Sequence, residues 1–234
     1  MITRYRVAKF PGMIDGSTPL SNGRVLRRAA ENLCLDFVNT VAWRLTDAPE
    51  ERLASPAALL DWGTGAGLIE SSRTAGLREL WTERPGTATA AFRRAIALRE
   101  AIYRIFRATI LAKDVPKEAL RVLNSALSDA PLRVRIAPAG HAFGWARSAG
   151  VALEPLLVPI AWSAADLLTG TGIGRVRQCQ DDRGCGWLFL DESRTGTRRW
   201  CSMGDCGNRA KARRHRERKS QPHAPPSSAG SASS

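Results

Sequence analysis

Three observations predict a mainly α-helical chain that ends in a small module built as knuckle, hairpin and helix. Ala88 to Lys113 carries apolar residues at helical spacing over many turns. Four of the five cysteines fall in two close pairs, Cys179 with Cys185 and Cys201 with Cys206. The densest basic run in the chain, Arg209 to Lys219, follows the last cysteine directly. The first observation sets the fold class, and the other two mark a metal-bound cationic element at the C-terminus.

The chain has 234 residues, is 44% hydrophobic, and lacks an unbroken apolar stretch of membrane length. That suits one helical domain over residues 1–172, a module over 175–219 and a tail over 220–234, with no membrane partner. The N-terminus, MITRYRVAKFPG, has no apolar run of signal-peptide length, so the expected compartment is the reducing cytoplasm. Net charge is +13, and residues 175–219 carry thirteen Lys/Arg against six Asp/Glu, a local +7. Four thiolates with one divalent ion would lower that to about +5, still suited to a polyanion.

In chain order, residues 1–28 alternate weakly and break up at Pro11, Gly12, Gly16, Pro19 and Gly23, which predicts a short strand or irregular arm. Glu31 to Arg44 reads as the first helix, with Leu33, Phe37 and Val41 on one stripe and Cys34 and Val38 beside it. Asp36, Asn39, Thr40 and Arg44 share the remaining face. Asp36, Asn39 and Arg44 are candidates for a small-molecule pocket; the other reading is a buried network that fixes helix packing. Cys34, with no His nearby in sequence, reads as a core thiol.

Ser55 and Pro56 start a helix, the Ser as cap and the Pro in the first turn, which runs to about Thr64 and stops at the glycines of WGTGAGL. Those glycines follow a helix and not a strand, so they are no dinucleotide loop, and GTGIG at 170–174 reads as a linker for the same reason. In the long helix, Phe92, Ile96, Leu98, Ile102, Ile105, Phe106 and Ile110 form a wide apolar arc opposite Arg93, Glu100, Arg104 and Arg107. Asp114 and Pro116 open a further helix with Leu120, Leu123 and Leu127 on one side. Leu132 to Ala146 alternates and turns at Pro-Ala-Gly, a small β-hairpin, and Ala152 to Leu168 returns to helix with Pro159 inside it.

Within the module, five and four residues separate the cysteines of each pair and fifteen lie between the pairs. Such spacing lets each pair close a loop around one edge of a tetrahedral zinc ion, with Cys179, Cys185, Cys201 and Cys206 as ligands. Two disulfides would satisfy the same spacing, and an iron–sulfur cluster uses the same ligands, although the close cysteine triplet of ferredoxins is absent. Trp187 to Leu190, the turn Glu192 to Gly196 and the return through Arg198 to Trp200 predict a hairpin carrying the two halves of the site. GNRAKARRHRERK then reads as a helix whose N-terminus holds the last ligand, which completes a treble-clef-like zinc finger. His215 and His223 lie beyond a ligand set that four thiolates already fill.

At 100° per residue, Arg209, Arg213 and Arg216 form one face of that helix and Lys211, Arg214 and Arg218 the opposite one. A helix polar all round is not held by burial; it projects into solvent as a solvated charge run or meets a polyanion. Following a zinc ligand, it reads as a nucleic-acid-binding element, with Arg198, Arg199 and Lys219 adding to the surface.

The run CGWLFLDESRTGTRRWCSMGDCGNRAKARRHRER resembles the CGNR zinc finger, whose tetrapeptide stands here as Cys206, Gly207, Asn208 and Arg209. LCLDFVNTV, Leu33 to Val41, resembles the opening of the helical ABATE-type domain of stress-induced transcription regulators that precedes such fingers. The resemblance implies zinc bound by the four cysteines, DNA binding by the finger and a role in transcription. With three histidines and no carboxylate pair at a recognisable spacing, enzymatic chemistry is not expected. The expected partners are double-stranded DNA, a small-molecule effector of the helical domain and a second copy of the chain. The alternative is an interaction or RNA-binding module that docks an acidic partner.

Overall fold

The computed structural model describes residues 32–128, 136–139, 142–145 and 154–220. The arm read over 1–28, the turn of the 132–146 hairpin, His223 and the tail beyond Ser220 lie outside the described residues.

Helix α1 (Leu33–Val38) is short, and all its residues except Asp36 are buried. It ends six residues before the expected Arg44. Asn39 donates its amide to Leu35 O at 2.9 Å, and Thr40 bonds Phe37 O twice, by its amide at 3.2 Å and its hydroxyl at 2.7 Å. These bonds close the last turn. The chain beyond it forms strand β1 (Val41–Ala42), paired antiparallel with β2 (Glu50–Glu51). Tertiary partners thus take the backbone donors that a longer helix would have used.

Helix α2 (Pro56–Gly65) begins as expected, with Ser55 Oγ accepting from the Ala58 amide at 3.1 Å. It leaves the helical path at Gly67, whose φ of +67° suits a residue without Cβ. Helix α3 (Ser71–Glu83) was not predicted, because Thr74 is its one buried residue and its apolar periodicity is weak. Helix α4 (Pro85–Ile110) is the scaffold, with Leu98, Ile102, Ile105 and Phe106 buried and Phe92, Ile96 and Ile110 packed at the margin. It opens three residues earlier than expected, at a first-turn Pro.

Helix α5 (Lys117–Ser128) packs on α4 and on α6 (Glu154–Thr169), which contains Pro159. Strands β3 (Ile136–Ala139) and β4 (Ala142–Trp145) form the expected hairpin. α1 lies between α6 and α4, and Cys34 there donates its amide to Ser163 Oγ at 3.1 Å. Burial pushes the Cys34 thiol up to about 12. Phe37, Leu98, Ile102, Ile105, Phe106, Leu156 and Ile160 are fully buried, each side chain contributing ~1.5–3 kcal/mol of transfer free energy. No helix among the described residues is long and apolar enough to cross a membrane.

Strand β5 (Val176–Gln178) pairs antiparallel with β6 (Leu188–Leu190). The expected hairpin partner of β6 was Arg198 to Trp200, so the pairing is corrected here. The strand that precedes the first cysteine takes that place, and residues 198–200 form no ladder with β6. Val176 and Leu188 belong to the same hydrophobic cluster as the helices. Helix α7 (Asn208–Ser220) closes the described chain.

Candidate metal centre

β5 delivers Cys179, and the following turn returns through Gly184 to Cys185 just before β6. Gly184 (φ +87°) donates its amide to Asp181 O at 2.9 Å, and Gly186 has φ +66°, so both glycines sit in backbone that favours a residue without Cβ. The second pair is set by a tight turn, Met203–Gly207, entered through Ser202, whose Oγ accepts from the Asp205 amide at 3.3 Å. Cys206 is fully buried in that turn, where it runs into α7.

The four sulfurs all lie within 4.8 Å of one another, with Cys185 to Cys201 at 3.8 Å and Cys201 to Cys206 at 3.7 Å. A tetrahedron with Zn–S bonds of about 2.3 Å has edges of about 3.8 Å. The donor set therefore fits one zinc ion. All five cysteines are free thiols, so the disulfide alternative left open by spacing is not the arrangement found.

The charge balance points the same way. Hydrogen bonds from Cys185 and Cys201 hold the Cys179 thiol below the usual thiol range. The Cys201 thiol is pushed up by its bonds to Cys179 and Cys185, and Cys206 is pushed up by burial and by the charge of its neighbours. Four thiolates this close need a cation between them.

Asp191 organises the chain between the pairs. Its fully buried carboxylate accepts from Ser193 Oγ at 2.6 Å, the Ser193 amide at 3.0 Å and the Arg198 amide at 2.9 Å, and these bonds hold it below the usual carboxylate range. Gln180 meanwhile donates its amide to Arg199 O at 2.9 Å, tying the two halves of the site.

Residues read as nucleic-acid contacts divide into two groups. Arg209 is turned inward: it donates to Asp181 Oδ2 at 3.0 Å and to Cys206 Sγ at 2.8 Å. Arg213 is ion-paired with Asp182 and with Glu217. Arg198 is half-buried, donating to Trp200 O at 2.8 Å and lying 4.8 Å from the Phe189 ring centroid. Lys211, Arg214, Arg216, Arg218 and Lys219 are exposed, as is Arg199, which donates to Gln180 Oε1 at 2.8 Å. His215 is exposed on α7.

The candidate pocket residues meet the finger and α4. Asn39 Nδ2 donates to Leu188 O at 2.8 Å, and its Oδ1 accepts from the Leu188 amide at 3.0 Å. Cys179 N–H donates to Trp187 O and Asp191 N–H to Arg175 O, so the Leu188 groups face away from β5. The Asn39 amide thus occupies the place of a third strand. Arg44 makes a two-pronged pair with Glu100 at 2.9 and 3.0 Å, donates to Val38 O and lies 4.2 Å from the Tyr103 ring centroid. Burial opposes the Glu100 charge, but Arg44 and Arg99 hold its carboxyl below the usual range. Buried Arg99 in turn grips both Glu51 oxygens, at 2.6 and 2.7 Å. Asp36 is half-buried, and burial raises its carboxyl to about 6.

Residues 43–46 continue the joint. Arg44 and Leu45 donate their amides to Cys185 O (3.2 Å) and Gly184 O (3.0 Å), and Trp187 Nε1 donates to Val41 O at 2.8 Å. Trp43 packs against the cysteine cluster itself. Sequence reasoning missed Trp43 and Asp181: one aromatic past an apolar stripe and one acid in the loop between two cysteines give no pattern.

Two family models match the chain. ABATE, described as Putative stress-induced transcription regulator, covers residues 31–171. The CGNR zinc finger covers residues 175–219. No curated protein matches the sequence.

Proposed function

The chain belongs to the ABATE family and carries a CGNR zinc finger, and from that premise we propose that it is a transcription regulator whose zinc-stabilised finger binds double-stranded DNA. One observation supports this reading above the others. α7 leaves the metal centre with Ala210 as its one buried apolar residue, and presents Lys211, Arg214, Arg216, Arg218 and Lys219 to solvent. A helix of this kind contributes little by burial, and its natural partner is a phosphate backbone. Lys211, Arg214 and Arg218 share the outward face and suit phosphates. Arg216 lies on the flank it shares with Arg209 and Arg213 and keeps a free fork for guanine.

In this proposal the helical domain is the regulatory part and not a catalyst. It reaches the finger through Asn39, Arg44 and residues 43–46, so an effector that shifts α1 or the Arg44–Glu100 pair would move the finger as well. A second reading is favoured by Leu45 and Met203, two large apolar side chains exposed beside the metal centre at 49% and 47%. Such a surface suits a protein partner.

Binding of the zinc-loaded chain to duplex DNA, single-stranded RNA and an acidic peptide, each across a salt series, separates the two. Preference for duplex with a steep salt dependence supports the DNA reading. Equal or tighter binding to the peptide would replace it.

A further inference from the structure

We propose that Arg209 serves the metal centre and not DNA, and that Trp43 of the helical domain positions it there. The guanidinium of Arg209 lies against the finger. Its NH2 group is 2.8 Å from Cys206 Sγ and 3.0 Å from Asp181 Oδ2, and its Nε is 3.2 Å from the same oxygen. Its guanidinium carbon stands 5.1 Å from the Trp43 ring centroid, within reach of the π-face.

The chemistry explains why an arginine stands there. Four thiolates on one zinc ion leave the centre at −2, and the Asp181 side chain, with no exposure to solvent, adds a further negative charge beside it. Anions crowded in a buried site need a cation that donates to more than one of them at once. The planar fork of arginine does so, serving a sulfur and a carboxylate from neighbouring N–H groups, which the point charge of lysine cannot reproduce. With its N–H edges turned to Cys206 and Asp181 and its plane near Trp43, little of the fork remains for a guanine edge.

Trp43 is held for this task by hydrogen bonds within its own loop. Its φ of +54° is unusual for a bulky residue and is maintained by Thr46, whose amide and hydroxyl both donate to Trp43 O, at 3.1 and 2.8 Å. The next two amides, of Arg44 and Leu45, are tied to the knuckle carbonyls of Cys185 and Gly184. Arg183 approaches the same ring at 5.3 Å. A residue outside the finger therefore completes the wall around the thiolates, and zinc affinity depends on the helical domain.

The test uses the full-length chain with Arg209→Met, Arg209→Lys and Trp43→Leu. Three quantities are read: zinc transfer to a chromophoric chelator, the thiolate-to-metal absorption band after cobalt substitution, and the salt slope of duplex binding. Partners that orient metal ligands change affinity by about 10- to 100-fold when removed. Arg209→Met should lose zinc to the chelator more readily, with affinity at least about 10-fold weaker than wild type, and shift the cobalt band. The salt slope should be unaltered.

Zinc affinity within twofold of wild type in Arg209→Met, with the slope reduced by about one, would overturn the proposal and return Arg209 to the DNA interface. Zinc release does not depend on DNA, so this arm decides even if the DNA reading fails. Should Arg209→Met not fold, Arg209→Lys decides in the same way: faster release supports the proposal and unchanged release overturns it. Trp43→Leu should move release and the cobalt band in the same direction by a smaller factor; no change in either would remove Trp43 from the assembly.

Discussion

Asn39→Ala tests how the helical domain holds the finger. The Asn39 amide makes two bonds with one residue, to Leu188 O at 2.8 Å and from the Leu188 amide at 3.0 Å. Leu188 is 1% exposed, and its peptide groups face away from β5, so removal of the Asn39 side chain strands a donor and an acceptor together. A stranded buried group costs ~1–3 kcal/mol, which gives ~2–6 kcal/mol for the pair, with the lower end applying if water enters the gap. In a chain of this size that is a large share of total stability and shifts the melting temperature by several degrees. The assay is urea denaturation followed by far-ultraviolet circular dichroism, run beside Asn39→Asp. The aspartate keeps an acceptor for the Leu188 amide but sets a carboxylate oxygen against the Leu188 carbonyl, so it should be no milder than alanine. A loss below about 0.5 kcal/mol in both variants would refute the reasoning, because surface positions behave that way. If, in addition, the alanine variant lost its response to a metabolite at full stability, the polar cluster would be a ligand pocket and not a joint.

Three further outcomes are expected. Cys206→Ser removes one of four ligands of a centre that supplies ~10 kcal/mol or more of folding free energy, so zinc measured by metal analysis should fall well below one per chain while the α-helical signal is largely kept. Asp36→Asn should stabilise the protein in a pH-dependent way. Burial raises this carboxyl from 3.8 to about 6, so the folded chain holds its proton more tightly than the unfolded one and loses stability as pH rises from about 4 to 6. The asparagine escapes that loss, by at most about 3 kcal/mol, and should melt higher at pH 7.5 but not at pH 4; a lower melting point at pH 7.5 would mean that the ionised carboxylate has a favourable partner. Gly186→Ala places a Cβ 2.8 Å from Leu45 Cγ at a φ of +66°, and should cost ~1–2 kcal/mol from backbone alone, checked by thermal denaturation.

What could be read from the sequence was what local chemistry dictates. The Ser55–Pro56 cap, the apolar arc of α4 and the spacing of the four cysteines each act within a few turns of chain, and each stands where expected. Elements decided by distant partners were not legible. The short α1 follows from partners of residues 39–45, among them Leu188 and Cys185, far along the sequence. β5 has three residues, and its pairing with β6 depends on Val176 and Leu188 joining the helical core. α3 was missed because it lies on the surface with little to bury. The basic run of α7 divides into two basic faces on the sequence, and charge alone does not reveal that Asp181 and Asp182 lie beside the one that carries Arg209 and Arg213.

The zinc-dependent affinity for duplex DNA tests the functional account most directly. Binding is measured against salt for the zinc-loaded chain and again after the metal has been stripped with a chelator. Lys211, Arg214, Arg218 and Lys219, exposed on α7, would give a log–log slope of about −3 to −4 for the loaded protein, at about 0.9 per phosphate contact. Stripping should abolish sequence preference and flatten the slope, with recovery when zinc is restored. A loaded protein whose binding does not depend on salt, or a stripped one that binds as well, would contradict the account.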